Sequence, residues 1–300
     1  MDRAENAATV RLVALRWFVA GLVLLTAAFA LPLYHWARLA MAVDLHSHTI
    51  LIPFVSGYLI WQRREQLPGP GPDGRWWGGG LALVATIFAW LAWNGSEASE
   101  PQDRLALQIG AYVLAGVGVA WACFGLAFMK AILFPTCFLV FILPVPQGLE
   151  NMLEVFLQGL SADASNVLFW MFGETYLRDG QVFVFPGLTI RVAQECSGIR
   201  SSLVLFILSW LAANQFLHTP WRRVLLVMSV LPLGIIRNAF RVYVITALTL
   251  HYDPTIIDSP LHHRGGPIFF ALSLIPFVGL VWLLRWNERS SAKGRTMDSP

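Results

Sequence analysis

Charge is what this 300-residue chain lacks: Asp, Glu, Lys and Arg make up 13% of it, against 56% hydrophobic residues. Soluble domains carry about 25% charged residues, so the composition excludes a water-soluble globular protein and indicates one integral to a membrane. The net charge of +3 is too small to argue for nucleic acid. Cysteine is scarce too. Cys123, Cys137 and Cys196 include no closely spaced pair, which excludes a disulfide framework and a cysteine-based zinc site. Several motifs are missing: no Gly-Lys-Ser/Thr follows a glycine-rich loop, no His-Glu-x-x-His occurs, and there is no Gly-x-Ser-x-Gly elbow. No internal repeat of the kind transporters use is visible. The first apolar run, Leu12–Leu33, is too long for a signal-peptide core and has no small-residue cleavage site after it, so it reads as a retained helix.

What the chain has instead is apolar runs. A spanning helix needs about 20 mostly apolar residues. Eight candidates follow: Leu12–Leu33, His48–Trp61, Trp76–Trp93, Leu105–Met129, Ala131–Val145, Ser197–Ala213, Val224–Leu250 and Pro267–Trp286. Alternate ends of these runs are basic, with Arg3, Arg11 and Arg16; Arg63, Arg64 and Arg75; Lys130; Arg222 and Arg223; then Arg285, Arg289, Lys293 and Arg295. The opposite ends carry Asp44; Glu97, Glu100 and Asp103; the segment from Glu150 to Glu195; and Asp253 and Asp258. Cytoplasmic loops accumulate Lys and Arg, so both termini are expected in the cytoplasm of an inner (cell) membrane protein. The expected fold is all-α and polytopic, with about eight transmembrane helices forming one domain over residues 1–289. A disordered cytoplasmic tail is expected over 290–300.

The segment 146–195 is expected on the outer face. Leu149, Met152, Leu153, Phe156, Leu157 and Leu160 recur at helical spacing, as in an amphipathic helix lying on the membrane surface. From Gln181 to Val192 the sequence reads as strand, Pro-Gly turn and strand, a short β-hairpin before the sixth span.

That hairpin leads into Gln194-Glu195-Cys196-Ser197-Gly198-Ile199-Arg200, where a thiol meets the start of an apolar run. A cysteine at a helix N-terminus has its thiolate favoured by free N–H groups and the helix dipole, while the adjacent Glu195 opposes this. The bland alternative is a packing cysteine, with Ser197 as a helix cap. Arg237 and Arg241 are four residues apart and share a helix face. Arginine inside an apolar span is a functional hypothesis by default; the alternatives are a structural pair with Glu195 or snorkelling to the surface. Arg241 lies seventeen residues from Val224, about 25 Å along the helix at 1.5 Å per residue, which brings it to the outer end with Asn238 beside it. His251, His262 and His263 follow in an outer loop, and histidine serves as general acid or base near neutrality. Thiol, arginines and histidines are thus expected on one face. A metal site would draw on His46, His48, His251, His262 and His263 but has no helical i, i+4 pair, so no metal or other cofactor is expected.

Four segments together resemble the exosortase/archaeosortase family. Val192-Ala-Gln-Glu-Cys196-Ser-Gly-Ile-Arg200-Ser resembles its cysteine motif, and Asn238-Ala-Phe-Arg241-Val its arginine motif. Leu261-His262-His263-Arg264-Gly265-Gly266 is similar to its histidine motif, and Ser47-His48-Thr49-Ile50-Leu51-Ile52-Pro53 to its early Ser-His-Gly-x-Leu-Ile-Pro segment. The likeness runs from about residue 46 to 270, in the family's order. Thr49 stands where the family usually has glycine, and His263 competes with His262 for the catalytic assignment. The resemblance implies a membrane cysteine protease/transpeptidase acting on membrane-anchored proteins that end in a sorting signal. That signal comprises a short motif, often of the Pro-Glu-Pro type, then a transmembrane helix and a basic tail. It implies Cys196 as nucleophile, Arg241 as transition-state stabiliser and His262 as acid/base. Glu195, Ser197, Gly198, Arg200, Asn238, Arg237, His263, Gly266 and His48 are the expected supporting residues. The expected partners are that protein substrate and the lipid bilayer, with no nucleic acid. The rival reading is a transporter or polysaccharide-export component whose intramembrane arginines line a pathway.

Overall fold

The computed structural model describes residues 2–71, 75–94, 100–192, 198–258 and 265–297. It divides into two units, Met1–Leu149 and Glu150–Pro300.

The first unit holds α1 (Asp2–Ala28), α2 (Ala30–Ala42), α3 (Ile52–Gln62), α4 (Arg75–Asn94), α5 (Pro101–Ala131) and α6 (Leu133–Phe138). Its tightest packing is α4 on α5. A Cβ on Gly78 would sit 2.7 Å from the Gly118 carbonyl oxygen and 2.9 Å from the Ala122 methyl; one on Gly118 would sit 3.1 Å from the Gly78 oxygen. The absence of side chains lets the two backbones touch, the usual device for joining helices in lipid. Gly125 breaks α5 with φ +81°, and the bond lost there is partly replaced by Gly71 N–H, which donates to the Phe124 carbonyl at 3.1 Å.

Among the described residues, six helical segments are long and apolar enough to span: Thr9–Ala28, Trp76–Asn94, Pro101–Ala131, Ile199–Phe216, Pro220–His251 and Gly266–Ser290. A seventh is obtained if Leu133–Ile142 and Gln147–Met171, separated by a sharp bend, count as one broken span. The polytopic helical fold is therefore as expected, with six to seven such spans among the described residues where the sequence suggested about eight. The expected second span is shortened at its start. Ser47 and Thr49 hydroxyls donate to the carbonyls three residues back, Asp44 and His46, each at 2.8 Å, and His48 Nδ1 lies 2.9 Å from the Leu45 oxygen. These bonds suit the 3₁₀ turn that runs from Asp44 to Leu51. The α-helix that follows, α3, has 11 residues, about 16 Å of rise against a hydrocarbon core of about 30 Å. The expected fifth span is likewise a six-residue α6 followed by the 3₁₀ turn Leu139–Ile142, stopped by Pro144 and Pro146.

The second unit holds most of α7 (Gln147–Met171), then β1 (Leu177–Asp179), β2 (Val182–Phe185), β3 (Leu188–Arg191), α8 (Ile199–Phe216), α9 (Pro220–Met228), α10 (Val230–His251) and α11 (Gly266–Met297). Helix α11 is described as far as Met297. In α7 the expected apolar stripe is split: Leu149, Met152 and Phe156 are exposed, Leu153 and Leu160 half-buried and Leu157 buried, and the rest of the packed face is Gln158, Ser161, Ala162, Ser165 and Phe169. Small and polar residues thus share the packed face with Leu157 and Phe169, while large apolar side chains also cover the opposite side, as an expected lipid-facing helix requires. The expected hairpin is present, with Val182 opposite Arg191 and Phe185 opposite Leu188 across the Pro186-Gly187 turn. Gly187 takes φ +82°, open to glycine. A third strand, β1, adds antiparallel to β2, and sequence reasoning missed it. Phe183 and Phe185 bury their rings against Phe169 of α7 at centroid distances of 5.1 and 5.0 Å, in a cluster with Val192 and Val242 of α10. The sheet is thereby fastened to two helices just before the cysteine motif. Helices α8 to α11 share a second cluster of Leu205, Ala213, Leu217, Leu226, Val230, Phe277 and Leu284.

Candidate active site

The start of α8 is the best-defined part of the site. Gly198 is its N-cap, with φ +72°, a left-handed conformation that costs an L-residue about 1–2 kcal/mol. Glycine is needed there for space as well. A Cβ would stand 3.2 Å from Arg237 Nη2 and 3.2 Å from Asn238 Cγ and Oδ1. The cap therefore rests directly on α10. Its carbonyl accepts three donors: the Ser202 N–H at 3.0 Å, the Ser201 hydroxyl at 3.1 Å and Arg237 Nη2 at 3.3 Å. Arg237 Nη2 also donates to Ser202 Oγ at 3.2 Å. One turn earlier on α10, a Cβ on Gly234 would meet Ser202 Oγ at 2.6 Å, so this glycine admits Ser202 to the helix crossing.

Arg237 and Asn238 are buried, at 7% and 2% exposure. Arg237 Nη1 has no hydrogen-bond partner among the described residues. Arg241, one turn on along the same face of α10, is half-buried, while Arg200 in the first turn of α8 is exposed. The arginine that meets the cysteine motif's glycine is thus Arg237, and Arg200, nearest to Cys196 in sequence, faces outward.

Cys196, Glu195, Ser197, His262 and His263 lie outside the described residues, and their flanks are held as follows. On the N-terminal side, Val192 is 1% exposed and donates its N–H to the Gln181 carbonyl at 3.0 Å. Its own carbonyl accepts from Gln158 Nε2 of α7, a side chain only 4% exposed. Gln158 was not singled out in the sequence; the only signal was a polar residue on the stripe it shares with Ser161, Ala162 and Ser165. On the far side of the histidines, Gly265 accepts from Ile268 N–H at 3.0 Å and opens α11. Gly266 is half-buried, and among the described residues a Cβ there would meet nothing within 4 Å. His48 is half-buried in the first unit.

At the end of α10, His251 Nε2 lies 3.0 Å from Glu174 Oε1, which ties the helix to the segment before β1. Asp253 follows, its carboxylate accepting the Thr255 N–H and hydroxyl at 2.8 Å each. These bonds hold its pKa below the ordinary carboxylate value. Among the described residues, no three His, Cys, Asp or Glu side chains group as a metal site would.

No curated protein and no solved structure matches the chain. A family model does: the one described as transmembrane exosortase matches residues 36–279. That range covers the early histidine segment, the cysteine motif, the α10 arginines and the His262-His263 segment, and the chain belongs to the transmembrane exosortase family.

Proposed function

We propose that this exosortase-family membrane protein is a cysteine transpeptidase in which Cys196 is the nucleophile, Arg241 stabilises the oxyanion and His262 is the acid/base. The observation that carries the reading is the family match over residues 36–279, a range containing all three. The packing of Gly198 on Arg237 and Asn238 supports it. Cys196 precedes Gly198 by two residues, a covalent reach of about 7 Å, and Arg241 is one turn beyond Arg237 on the same helix.

The chemistry is acyl transfer. His262 takes the Cys196 proton, and the thiolate attacks the scissile carbonyl carbon, moving the carbonyl electron pair onto oxygen. A guanidinium fixed where that charge develops lowers the barrier. Collapse of the intermediate breaks the C–N bond, His262 returns its proton to the leaving amine, and a thioester to Cys196 remains. An incoming amine, or water, then attacks the thioester and restores the thiol. The substrate is a membrane-anchored protein ending in a short motif, a transmembrane helix and a basic tail. The site faces the outer side of the inner membrane, with both termini in the cytoplasm, as the alternation of basic and acidic loops supports.

The test is Cys196→Ala, expressed at wild-type level with a reporter carrying a short C-terminal motif, a transmembrane helix and a basic tail. Loss of reporter cleavage is expected, and the wild type should yield a hydroxylamine-sensitive adduct that the variant lacks. Normal cleavage by the variant would overturn the assignment.

A further inference from the structure

We propose that the exposed face of α11 formed by Trp282, Arg285, Trp286 and Arg289, with Phe216 at the end of α8, is a binding site for an anionic phospholipid. The inference goes beyond the transpeptidase reading and does not depend on it.

The four α11 residues are spaced i, i+3, i+4 and i+7, so they share one helix face. Packing occupies the other side of the helix, where Phe277 and Leu284 are buried in the cluster shared with α8, α9 and α10. Trp282 and Trp286 are 63% and 57% exposed, and Arg285 and Arg289 are exposed as well. The two indoles stack, with centroids 5.4 Å apart and planes at 26°. The Arg285 guanidinium carbon stands 5.6 Å from the centre of the Phe216 ring, a contact that draws the cation toward α8.

Height along the helix decides what this face meets. Trp282 and Trp286 lie sixteen and twenty residues beyond Gly266, about 24 and 30 Å along the axis, and Arg285 and Arg289 at about 28 and 34 Å. The hydrocarbon core is about 30 Å thick. A helix that starts at one boundary therefore sets its indoles at the other, with the guanidiniums level with the lipid phosphates. Ile275 and Val278, one and two turns before Trp282, are exposed and continue the same face as apolar surface.

The charge on this face is uncompensated. Glu288 lies between the two arginines in sequence but is spent elsewhere, accepting the Thr219 and His218 N–H groups. Among the described residues neither Arg285 nor Arg289 forms an ion pair. On the neighbouring α9, by contrast, Arg222 stands 4.0 Å from Glu288 and Arg223 Nε donates to the Leu217 carbonyl at 2.9 Å. A phosphodiester supplies the missing charge, with two oxygens that match a guanidinium fork. Its acyl chains cover Ile275 and Val278, and its ester groups meet the indoles, whose rings suit the boundary between hydrocarbon and headgroups. A free phosphate would leave the aromatic and apolar parts of the face uncovered, so the assignment is to a lipid.

The test titrates purified full-length protein in nonionic detergent with phosphatidylglycerol or with phosphatidylcholine of the same acyl chains, counting bound lipid by native mass spectrometry. The wild type should bind phosphatidylglycerol about 10-fold more tightly or better. The double variant Arg285→Gln/Arg289→Gln should lose roughly 25-fold in phosphatidylglycerol affinity, about 5-fold per arginine, with phosphatidylcholine binding unchanged. If the double variant does not fold, Arg289→Gln alone carries the measurement, with a loss of about 5-fold. Arg285→Lys/Arg289→Lys keeps the charge without the fork and should fall between wild type and the glutamine pair. Arg63→Gln/Arg64→Gln removes the same charge from a basic loop of the first unit and should leave phosphatidylglycerol affinity unchanged. Three results would overturn the proposal. Equal affinity of the wild type for the two lipids denies the preference. An equal loss in the Arg63/Arg64 variant assigns it to general attraction by a basic protein. Displacement of phosphatidylglycerol by millimolar inorganic phosphate makes the face a site for a free anion.

Discussion

Two helix crossings, one in each unit, use glycine in the same way and differ in everything else. Where α4 meets α5, Gly78 and Gly118 bring backbone onto backbone, and the neighbours are Ala122 and Leu81. Where α8 meets α10, Gly198 and Gly234 also remove side chains, but the space admits Arg237, Asn238 and Ser202. The first is the small-residue packing by which helices associate in lipid. The second places a buried guanidinium inside the protein, an unfavourable arrangement by itself and the reason it enters the proposed site. Glycine at a crossing indicates only close approach; the residues admitted by it distinguish a joint from a site.

The largest expected effect separates the two crossings directly. Gly78→Ala places a methyl against the Gly118 carbonyl and Ala122, both fixed backbone-level neighbours, and should destabilise by about 2–3 kcal/mol. Among the described residues Gly234→Ala meets only Ser202, its rotatable hydroxyl at 2.6 Å and its Cβ at 3.5 Å, and should destabilise by about 1 kcal/mol. Activity should reverse the order: Gly78→Ala keeps the wild-type cleavage rate per folded molecule, while Gly234→Ala loses it by displacing a partner of Arg237. Thermal unfolding in detergent and reporter cleavage, normalised to folded protein, read the two quantities. Equal activity losses at both crossings would erase the distinction.

Gly198→Ala comes next. The left-handed φ alone costs about 1–2 kcal/mol, and the added methyl would press on Arg237 Nη2 and Asn238 at 3.2 Å. Relief requires α8 and α10 to part or Arg237 to swing away. We expect a lower melting temperature together with lost cleavage, a combination that neither Gly78→Ala nor a simple packing defect produces. A variant that melts early and still cleaves normally per folded molecule would make Gly198 a structural cap only.

The division between what could be read from the residues and what could not follows physical range. Spans were legible wherever an apolar run is long, because lipid demands about 20 such residues whatever they pack against. The hairpin was legible from Pro186-Gly187, a local turn signal. Pairing four residues apart placed Arg237 and Arg241 on one face, since helical spacing is local too. The 3₁₀ turn that shortens the second run was less visible, because His48 and Thr49 read as the start of that apolar run until the bonds of Ser47, His48 and Thr49 to carbonyls three residues back are seen. Gln158 was illegible for a different reason. Its partner is a backbone carbonyl thirty-four residues away, and no periodicity encodes a contact of that range. The face of α7 was more legible: Leu149, Met152 and Phe156 are exposed, as an apolar stripe lying against lipid requires.

The smallest effect asks whether polar bonding as such, or only its place beside the cysteine segment, distinguishes the α8–α10 crossing. The same unit has a second polar junction. Glu288 of α11 accepts the Thr219 N–H at 2.6 Å, the His218 N–H at 3.1 Å and the Thr219 hydroxyl, with Arg222 Nη1 at 4.0 Å. It thereby satisfies donors at the start of α9 that have no intrahelical acceptor, and its negative charge complements that helix end. Glu288→Gln keeps one oxygen as acceptor and removes the charge, so it should destabilise by only about 1 kcal/mol. Cleavage per folded molecule should stay at the wild-type value, because this junction joins α11 to the α8–α9 turn and makes no bond to either flank of the cysteine segment. If Glu288→Gln instead lowered cleavage per folded molecule as Gly234→Ala is expected to, the effect would belong to the stability of the whole unit, and the distinction drawn for the α8–α10 crossing would fail with it.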